Sequence, residues 1–180
     1  MRSRGFPVIR IVDVRTGREL RAHFAKNATT YEGADILGRV LAGQGQYVPN
    51  MLYFEFDNSG SPPSKTADRE GRAYYAALEG SALRDYLRVP MELDPSLSAS
   101  TGDFQTNIVT FRCQESTSIG VGGKVFSAAA LSSVYGLALV SAVAANDRTQ
   151  DLVYARTYDF PPEEKDDNHQ IHVTWPVHFS

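Results

Sequence analysis

Three of the four histidines of the chain lie in the stretch HQIHVTWPVHFS, residues 169–180, together with the only tryptophan. Imidazole nitrogens are common zinc ligands, and histidine is also the usual general acid or base near neutral pH. If the stretch is a β-strand, however, the Cα atoms of His172 and His178 are about 20 Å apart. Two such histidines cannot share one metal ion, and His23 is the only histidine elsewhere in the chain. The pattern therefore predicts a strand with surface histidines rather than a metal site.

Successive side chains of a strand point to opposite faces, so this stretch would have one apolar face and one more polar face. The apolar face holds Ile171, Val173, Trp175, Val177 and Phe179. The other face holds His172, Thr174, Pro176 and His178, and His169 falls on the apolar face or in the loop before the strand. Because proline has no N–H to donate to a sheet, Pro176 predicts that this strand lies at a sheet edge or contains a bulge.

Three other chemical motifs are incomplete or absent in the sequence. The glycine-rich SIGVGGK, residues 118–124, lacks the first glycine of a phosphate-binding loop and is followed by Val125 where that loop needs serine or threonine. The Gly-x-Ser-x-Gly motif of many serine hydrolases is absent. The acidic EEKDDN, residues 163–168, lacks the spacing of a calcium-binding EF-hand and predicts a solvated loop. The sequence therefore predicts a non-enzymatic protein with no catalytic residue, no metal and no cofactor.

Length and composition limit the possible classes of protein. A chain of 180 residues is about the size of one domain and can bury a substantial core. With 18 basic and 21 acidic residues the charge is nearly balanced, and the arginines among the first 21 residues alternate with apolar residues as on a solvated strand face. The single Cys113 excludes an internal disulfide and is predicted to be buried. We expect no signal peptide, no membrane span and no specific nucleic-acid binding.

The spacing of apolar residues predicts a mainly β fold. Residues 8–14 and 18–24 form a predicted hairpin that turns at Thr16-Gly17, and one short helix lies within residues 31–43. Thr29 or Thr30 can cap this helix and Gly43 can end it. Further strands are predicted at residues 50–58, 86–93, 107–114, 137–144, 152–160 and 171–179, whereas residues 74–78 fit neither period. We expect β-sandwich or jelly-roll-like antiparallel sheets with one short α-helix in a single domain, residues 8–180, preceded by an N-terminal arm, residues 1–7.

Several segments together resemble a group of small virion structural proteins of tailed bacteriophages. KNATTYEGADILGRVLAG resembles the helix that follows an N-terminal hairpin in that group, and YVPNMLYFEFDN resembles the succeeding strand. GKVFSAAALSSVYGLALVSA and LVYARTYDF resemble its apolar Gly-Leu segment and the following strand that contains Ala-Arg. IHVTWPVHFS resembles its terminal strand with a Trp-x-x-x-Phe ending. The resemblance covers residues 26–180 with gaps.

The resemblance implies a β-sandwich or jelly-roll particle component that works by assembly. It would be a capsid decoration or cement protein, or part of the tail, fibre or baseplate, located in the virion and assembled in the host bacterial cytoplasm. Expected partners are capsid or tail subunits and further copies of the chain in a closed homo-oligomer such as a trimer. Candidate contact residues are Arg2, Arg4 and Phe6 of the arm, which can order on a neighbour, and Pro176 of the predicted edge strand.

Two other functions remain open from the sequence alone. A carbohydrate-binding β-sandwich would recognise host surface glycans through exposed aromatic residues, with Tyr74, Tyr75 and Tyr86 as candidates, although such tyrosines more often pack in the interior. A hydrolase acting on such glycans would need two carboxylates about 5–9.5 Å apart in a cleft, which sequence order does not show. Both alternatives depend on where the side chains lie in the fold.

Overall fold

The computed structural model describes residues 3–57, 71–78, 84–94, 108–113, 132–144, 147–158, 163–165 and 168–179. Within these residues the strands are β1 (Ser3–Gly5), β2 (Val8–Asp13), β3 (Glu19–Phe24), β4 (Lys26–Thr29), β5 (Met51–Asp57), β6 (Arg84–Leu93), β7 (Ile108–Cys113), β8 (Ser132–Ser141), β9 (Leu152–Tyr158), β10 (Glu163–Lys165) and β11 (His169–Phe179). The helices are α1 (Tyr31–Leu41) and α2 (Arg72–Leu78), and short 3₁₀ turns cover Gly45–Tyr47 and Arg148–Gln150. The predicted glycine-rich turn, residues 118–124, lies outside the described residues.

The described strands pair in antiparallel fashion, and nine of them follow one another in the order β3-β2-β11-β7-β6-β5-β8-β9-β4. In addition, β1 pairs with β11 and β10 pairs with β8. The long strand β6 joins two layers, because residues 84–90 pair with β5 while residues 91–93 pair with β7. We call the layer of β1, β2, β3, β7 and β11 the front layer, and the layer of β4, β5, β8, β9 and β10 the back layer.

The mainly β, antiparallel fold predicted from the sequence is confirmed. The two ends of the strand order, β3 and β4, are consecutive in the chain and are joined by the single buried residue Ala25. The sheet therefore bends back on itself and comes close to closing as a barrel, with β1 beside β4 near the junction. The narrower expectation of a sandwich or jelly roll stays a prediction.

The first hairpin and the first helix form where the sequence predicts them. Gly17 adopts a positive φ of 66° in the turn between β2 and β3. Thr30 caps α1, because its hydroxyl accepts a hydrogen bond from the Gly33 N–H at 3.0 Å. Gly43, with a φ of 84°, follows the end of the helix. The six further predicted strands are all present with shifted ends.

The structure corrects the number of helices and of strands. Residues 74–78, whose apolar period was ambiguous, belong to α2 (Arg72–Leu78), so the described residues contain two α-helices rather than one. The strands β1, β4 and β10 were not predicted, and β10 occupies half of the acidic segment that was expected to be a loop. These three strands are only three or four residues long, which is too short for alternation to be recognised.

Two hydrophobic clusters cover the two faces of the back layer. The interlayer core, between the front and back layers, includes Ile9, Leu52, Phe54, Leu139, Ile171 and Trp175. The helix core, between the back layer and α2, includes Tyr53, Tyr75, Leu78, Tyr86, Ala138 and Val153. Cys113 is buried in the interlayer core as predicted, and this burial raises the pKa of its thiol to about 12.

Candidate functional site

The candidate contact residues lie on or beside the first strands of the front layer. Arg2 is outside the described residues, and Arg4 lies in β1 opposite His178. Phe6 follows β1, and Pro176 lies in β11. Because β1 and β2 keep one register with β11, Phe6 falls opposite Pro176. The fold therefore brings these two predicted contact residues together.

Two expectations about this region are corrected. The predicted arm, residues 1–7, is not free along its length, because Ser3–Gly5 pair with β11 and the Gly5 N–H donates to Oδ1 of Asn27 at 2.8 Å. Pro176 does not mark a sheet edge, because β11 has β7 on one side and β1 and β2 on the other. The missing N–H of Pro176 is accommodated at the break between β1 and β2, where the ladder is interrupted.

Apolar side chains are exposed on the outer face of the front layer beside this break. Phe24 of β3 is 75% exposed and pairs with the half-buried Val8 of β2. Phe6, which is 48% exposed, packs edge-on against the His178 ring with the ring centroids 6.3 Å apart. We call Phe6, Val8, Phe24 and Pro176 the outer patch. Clustered apolar side chains in contact with water are typical of a surface that binds another molecule.

The side chains of β11 alternate as the sequence predicts. One face of the strand is buried and consists of Ile171, Val173, Trp175 and Val177. His172 and His178 lie half-buried on the opposite face, and His169 is half-buried at the start of the strand. In the described part of the chain, no group of three or more histidine, cysteine, aspartate or glutamate side chains is placed to hold a metal ion. Nor is any helix in that part long and apolar enough to cross a membrane.

The tyrosines considered as a sugar-binding surface belong to the helix core. Tyr75 and Tyr86 are buried, and Tyr74 is half-buried beside Tyr75 on α2. The rings of Tyr53, Tyr75 and Tyr86 pack edge-on or tilted against one another, with centroids 4.4–5.0 Å apart. Tyr75 and Tyr86 therefore attach α2 to the back layer and present no aromatic surface to a glycan.

A buried ion pair lies beneath α2. Glu55 of β5 and Arg156 of β9 are 2% and 5% exposed, and Arg156 donates to the two carboxylate oxygens through Nε at 3.2 Å and Nη2 at 3.1 Å. The Tyr75 hydroxyl donates to the same carboxylate and accepts from Arg156 Nε at 3.1 Å. The Arg156 guanidinium also lies over the Tyr74 ring, 3.6 Å from its centroid. These contacts offset part of the cost of removing two charges from water.

The back layer leaves room for this carboxylate at Gly136 of β8, which pairs with Glu55. A Cβ atom at position 136 would lie 2.6 Å from Glu55 Oε2, closer than such atoms approach in proteins. The register shifts beside this pair, because Glu55 and Phe56 of β5 face Gly136 and Val134 and leave Tyr135 as an extra residue in β8. The ion pair therefore accounts for the glycine in the middle of a buried strand.

A second polar cluster adjoins Tyr53 in the same core. Asp151 is fully buried, and its carboxylate accepts a hydrogen bond from the Tyr53 hydroxyl and pairs with Arg88 Nη2 at 2.9 Å. Arg88 also donates to the Ala144 carbonyl at 2.6 Å. Burial raises the pKa of Asp151 above its ordinary value, although the bonds to Tyr53 and Arg88 oppose that shift. The Asp151 carboxylate therefore links β5 and β6.

Two charged residues within apolar runs are the sequence signal for the ion pair. Glu55 and Arg156 interrupt the runs LYFEF and VYARTY, and a charge in the middle of a buried strand needs an opposite charge. The choice of Arg156 as partner depends on strand order, which sequence does not show. Phe24 and Val8 belonged to the predicted hairpin, whose register places them side by side.

Comparison with known proteins found no relative of this chain. No protein-family model, no curated protein and no solved structure matches the chain. A functional interpretation therefore depends on the outer patch, the helix core and the sequence resemblance.

Proposed function

We propose that the chain is a non-enzymatic structural component of a tailed-phage virion, either a capsid decoration or cement protein or a part of the tail, fibre or baseplate. Its partners are then capsid or tail subunits, and it is located in the virion. The sequence segments that resemble such proteins support this proposal. The outer patch is the observation that carries it.

The outer patch has the properties of a protein-binding surface. Phe24 is exposed on β3, where its backbone pairs with β2, and Phe6 is exposed at the break between β1 and β2. Burial of apolar surface contributes about 25 cal/mol for each Å² removed from water. Aromatic residues that a partner fully covers commonly supply most of the binding energy of an interface. Phe6 and Phe24 are therefore the expected anchors of the contact.

The edge of β3 adds hydrogen-bonding capacity beside the patch. The Ala25 N–H donates to the Pro7 carbonyl at 3.0 Å, and this bond flanks the Val8–Phe24 pair. In an antiparallel ladder such a pair is not itself hydrogen-bonded, so the N–H and C=O of Phe24 point away from β2. Among the described strands, β3 pairs with β2 alone. A strand of a neighbouring subunit can extend the sheet there and cover Phe24 at the same time.

Co-sedimentation with emptied phage capsids and with isolated phage tails tests this proposal. We expect the unmodified chain to bind one of the two preparations at a fixed stoichiometry. The variant Phe6→Ser/Phe24→Ser is expected to lose that binding while its free energy of unfolding changes by only about 0.5 kcal/mol per exposed position.

Leu41→Ser is the matched control, because Leu41 is 77% exposed on α1, which packs on β9 of the back layer. This variant is expected to bind as the unmodified chain does. Binding to neither preparation, or equal binding by the double variant, would contradict the proposal.

A further inference from the structure

The edge strand β3 is open to solvent along its length. Five of its six residues are exposed, and the remaining one, His23, is half-buried. At the other end of the strand order β4 has β1 beside it, whereas among the described strands β3 has β2 alone. Proteins usually protect an open edge with charges, bulges or a covering segment. The protection of β3 therefore has to come from its own sequence.

The first half of β3 carries such protection. Its register with β2 shifts, because Glu19 and Arg21 face Val12 and Ile11 and leave Leu20 as an extra residue. Glu19 and Arg21 also place exposed charged side chains in this half. Bulges and charges hinder the addition of a further strand. A partner strand is therefore not expected to pair with residues 19–21.

The second half of β3, residues 22–24, has neither a bulge nor an exposed charged side chain. These residues pair in unbroken register with residues 8–10 of β2. Because Val8 and Phe24 form a non-hydrogen-bonded pair, the N–H and C=O groups of both Phe24 and Ala22 point away from β2. The side chains of Ala22 and Phe24 share one face of the strand and are both exposed. Residues 22–24 therefore offer main-chain hydrogen bonds and apolar side chains at the same place.

We propose that the partner of the outer patch binds through an extended segment that pairs with residues 22–24 of β3 and carries apolar side chains at two alternate positions. The segment then belongs to a capsid or tail subunit, so this pairing rests on the proposed virion role. The outward main-chain groups of Ala22 and Phe24 hold the segment by hydrogen bonds, as when a peptide adds a strand to the edge of a sheet.

Phe24 determines which side chains the segment carries. The residue opposite Phe24 lies beside its ring, and the residue opposite Ala22 lies diagonal to it. Both positions are within reach of an aromatic side chain, and pairs of an aromatic with a β-branched or aromatic residue stabilise neighbouring strands. The small side chain of Ala22 leaves room for the second of these residues. We therefore expect β-branched or aromatic residues at both positions of the partner segment.

Hydrogen exchange of the complex tests this pairing without any variant. The unmodified chain is bound to the emptied capsids or the isolated tails, and amide exchange is measured in the free and bound states. We expect the amides of Ala22 and Phe24 to exchange at least about tenfold more slowly when bound, because both become hydrogen-bonded. The amide of His23, which the register directs to β2, should change less. One segment of a particle subunit should be slowed at the same time, and apolar residues should alternate in it.

The variant Ala22→Pro tests the main-chain bond directly. Proline removes the outward N–H of residue 22 and fills that side of the strand with its ring, but it removes no bond to β2. We expect this variant to unfold cooperatively, as the unmodified chain does, and to bind the particle at least about tenfold more weakly.

Tyr31→Pro is the matched control for the introduction of a proline. Tyr31 is 77% exposed and is the first residue of α1, a position at which proline is tolerated. Thr30 before it is already extended, with a φ of −77° and a ψ of 172°, as a residue before proline prefers. Because α1 packs on β9 of the back layer, this variant is expected to bind the particle as the unmodified chain does.

Failure of the strand pairing and failure of the virion role give different results. Particle binding with unchanged exchange at Ala22 and Phe24, or with equal affinity for Ala22→Pro, would overturn the pairing and leave the virion role intact. A slowed particle segment without alternating apolar residues would do the same. Slowed exchange in the free chain at high concentration, with a doubled mass in light scattering, would show that a second copy occupies the edge and would also overturn the pairing. Binding to neither capsids nor tails would contradict both proposals.

Discussion

The two faces of the back layer are both buried, but they are built in different ways. The face towards the front layer packs apolar side chains such as Leu52, Phe54 and Leu139. The face towards α2 packs tyrosines around the Glu55–Arg156 ion pair and the Asp151 cluster. One strand, β5, contributes to both faces in strict alternation from Leu52 to Glu55.

The two cores therefore contribute differently to the stability of the fold. Burial of apolar surface is not directional, so the interlayer core holds the layers together and tolerates modest changes in shape. Buried hydrogen bonds and ion pairs are directional, so the helix core allows few positions of α2. The polar core is consequently the more sensitive one, because the loss of one group leaves its partner buried and unsatisfied.

Removal of one partner of the ion pair is expected to have the largest effect. Glu55→Gln leaves the Arg156 guanidinium in the interior without a counter-charge, and we expect a loss of about 3–5 kcal/mol in the free energy of unfolding. The double variant Glu55→Leu/Arg156→Met removes both charges and is expected to be much closer to the unmodified chain, because no unpaired charge remains. Urea denaturation measures both differences.

The pair between Arg39 and Asp35 on α1 provides the control, because it joins the same types of charge at 2.8 Å but is exposed. Asp35→Asn is expected to cost less than about 1 kcal/mol. Equal losses in the Glu55 single variant and in the double variant would show that ring packing, rather than charge pairing, makes the helix core sensitive.

Local patterns predicted the interlayer core better than the helix core, for a physical reason. Alternation along β11 is enough to place Trp175 inside and His172 outside, because one face of that strand is apolar. The partner of Glu55 comes from a strand about a hundred residues later, so its identity depends on strand order. The same limit applies to Pro176, whose missing N–H predicted an edge although it lies opposite a break. Phe6 and Pro176 were named from the sequence, but Phe24 needed the observed exposure.

Substitutions that remove one heavy atom from each core compare the loss in the free energy of unfolding for a polar and an apolar contact. Tyr75→Phe removes the hydroxyl that bonds Glu55 and Arg156, and we expect a loss of about 1.5–3 kcal/mol because both partners are charged. Ile171→Val removes one methylene from the interlayer core and is expected to cost about 0.5–1.5 kcal/mol. Urea denaturation of the two variants under the same conditions shows which of them loses more of the free energy of unfolding. A larger loss for Ile171→Val would mean that the polar contacts of Tyr75 add little to its packing.

The smallest expected effect is a dependence on pH that Asp151 contributes. Burial raises the pKa of this carboxyl in the folded chain above the ordinary value that it has when unfolded. Between the two pKa values the folded chain binds more protons than the unfolded chain, so the free energy of unfolding falls as the pH rises through this window. Below the ordinary pKa the contribution of the protonated Asp151 to the free energy of unfolding is fully present, and above the raised pKa it is lost.

Asp151→Asn removes the proton that is released in this window and keeps an oxygen that can accept from Tyr53. The stability of the unmodified chain relative to this variant should therefore decrease from about pH 3 to about pH 7. Urea denaturation of both proteins at the two pH values gives the sign directly. Asp147→Asn is the control for an exposed carboxyl nearby, because hydrogen bonds from Thr149 lower the pKa of Asp147 and its relative stability should change in the opposite direction. The opposite outcome would be a stability relative to Asp151→Asn that rises with pH, as it does for Asp147. The pairing with Arg88 would then outweigh the cost of burying Asp151, and the charges of the helix core would stabilise the fold.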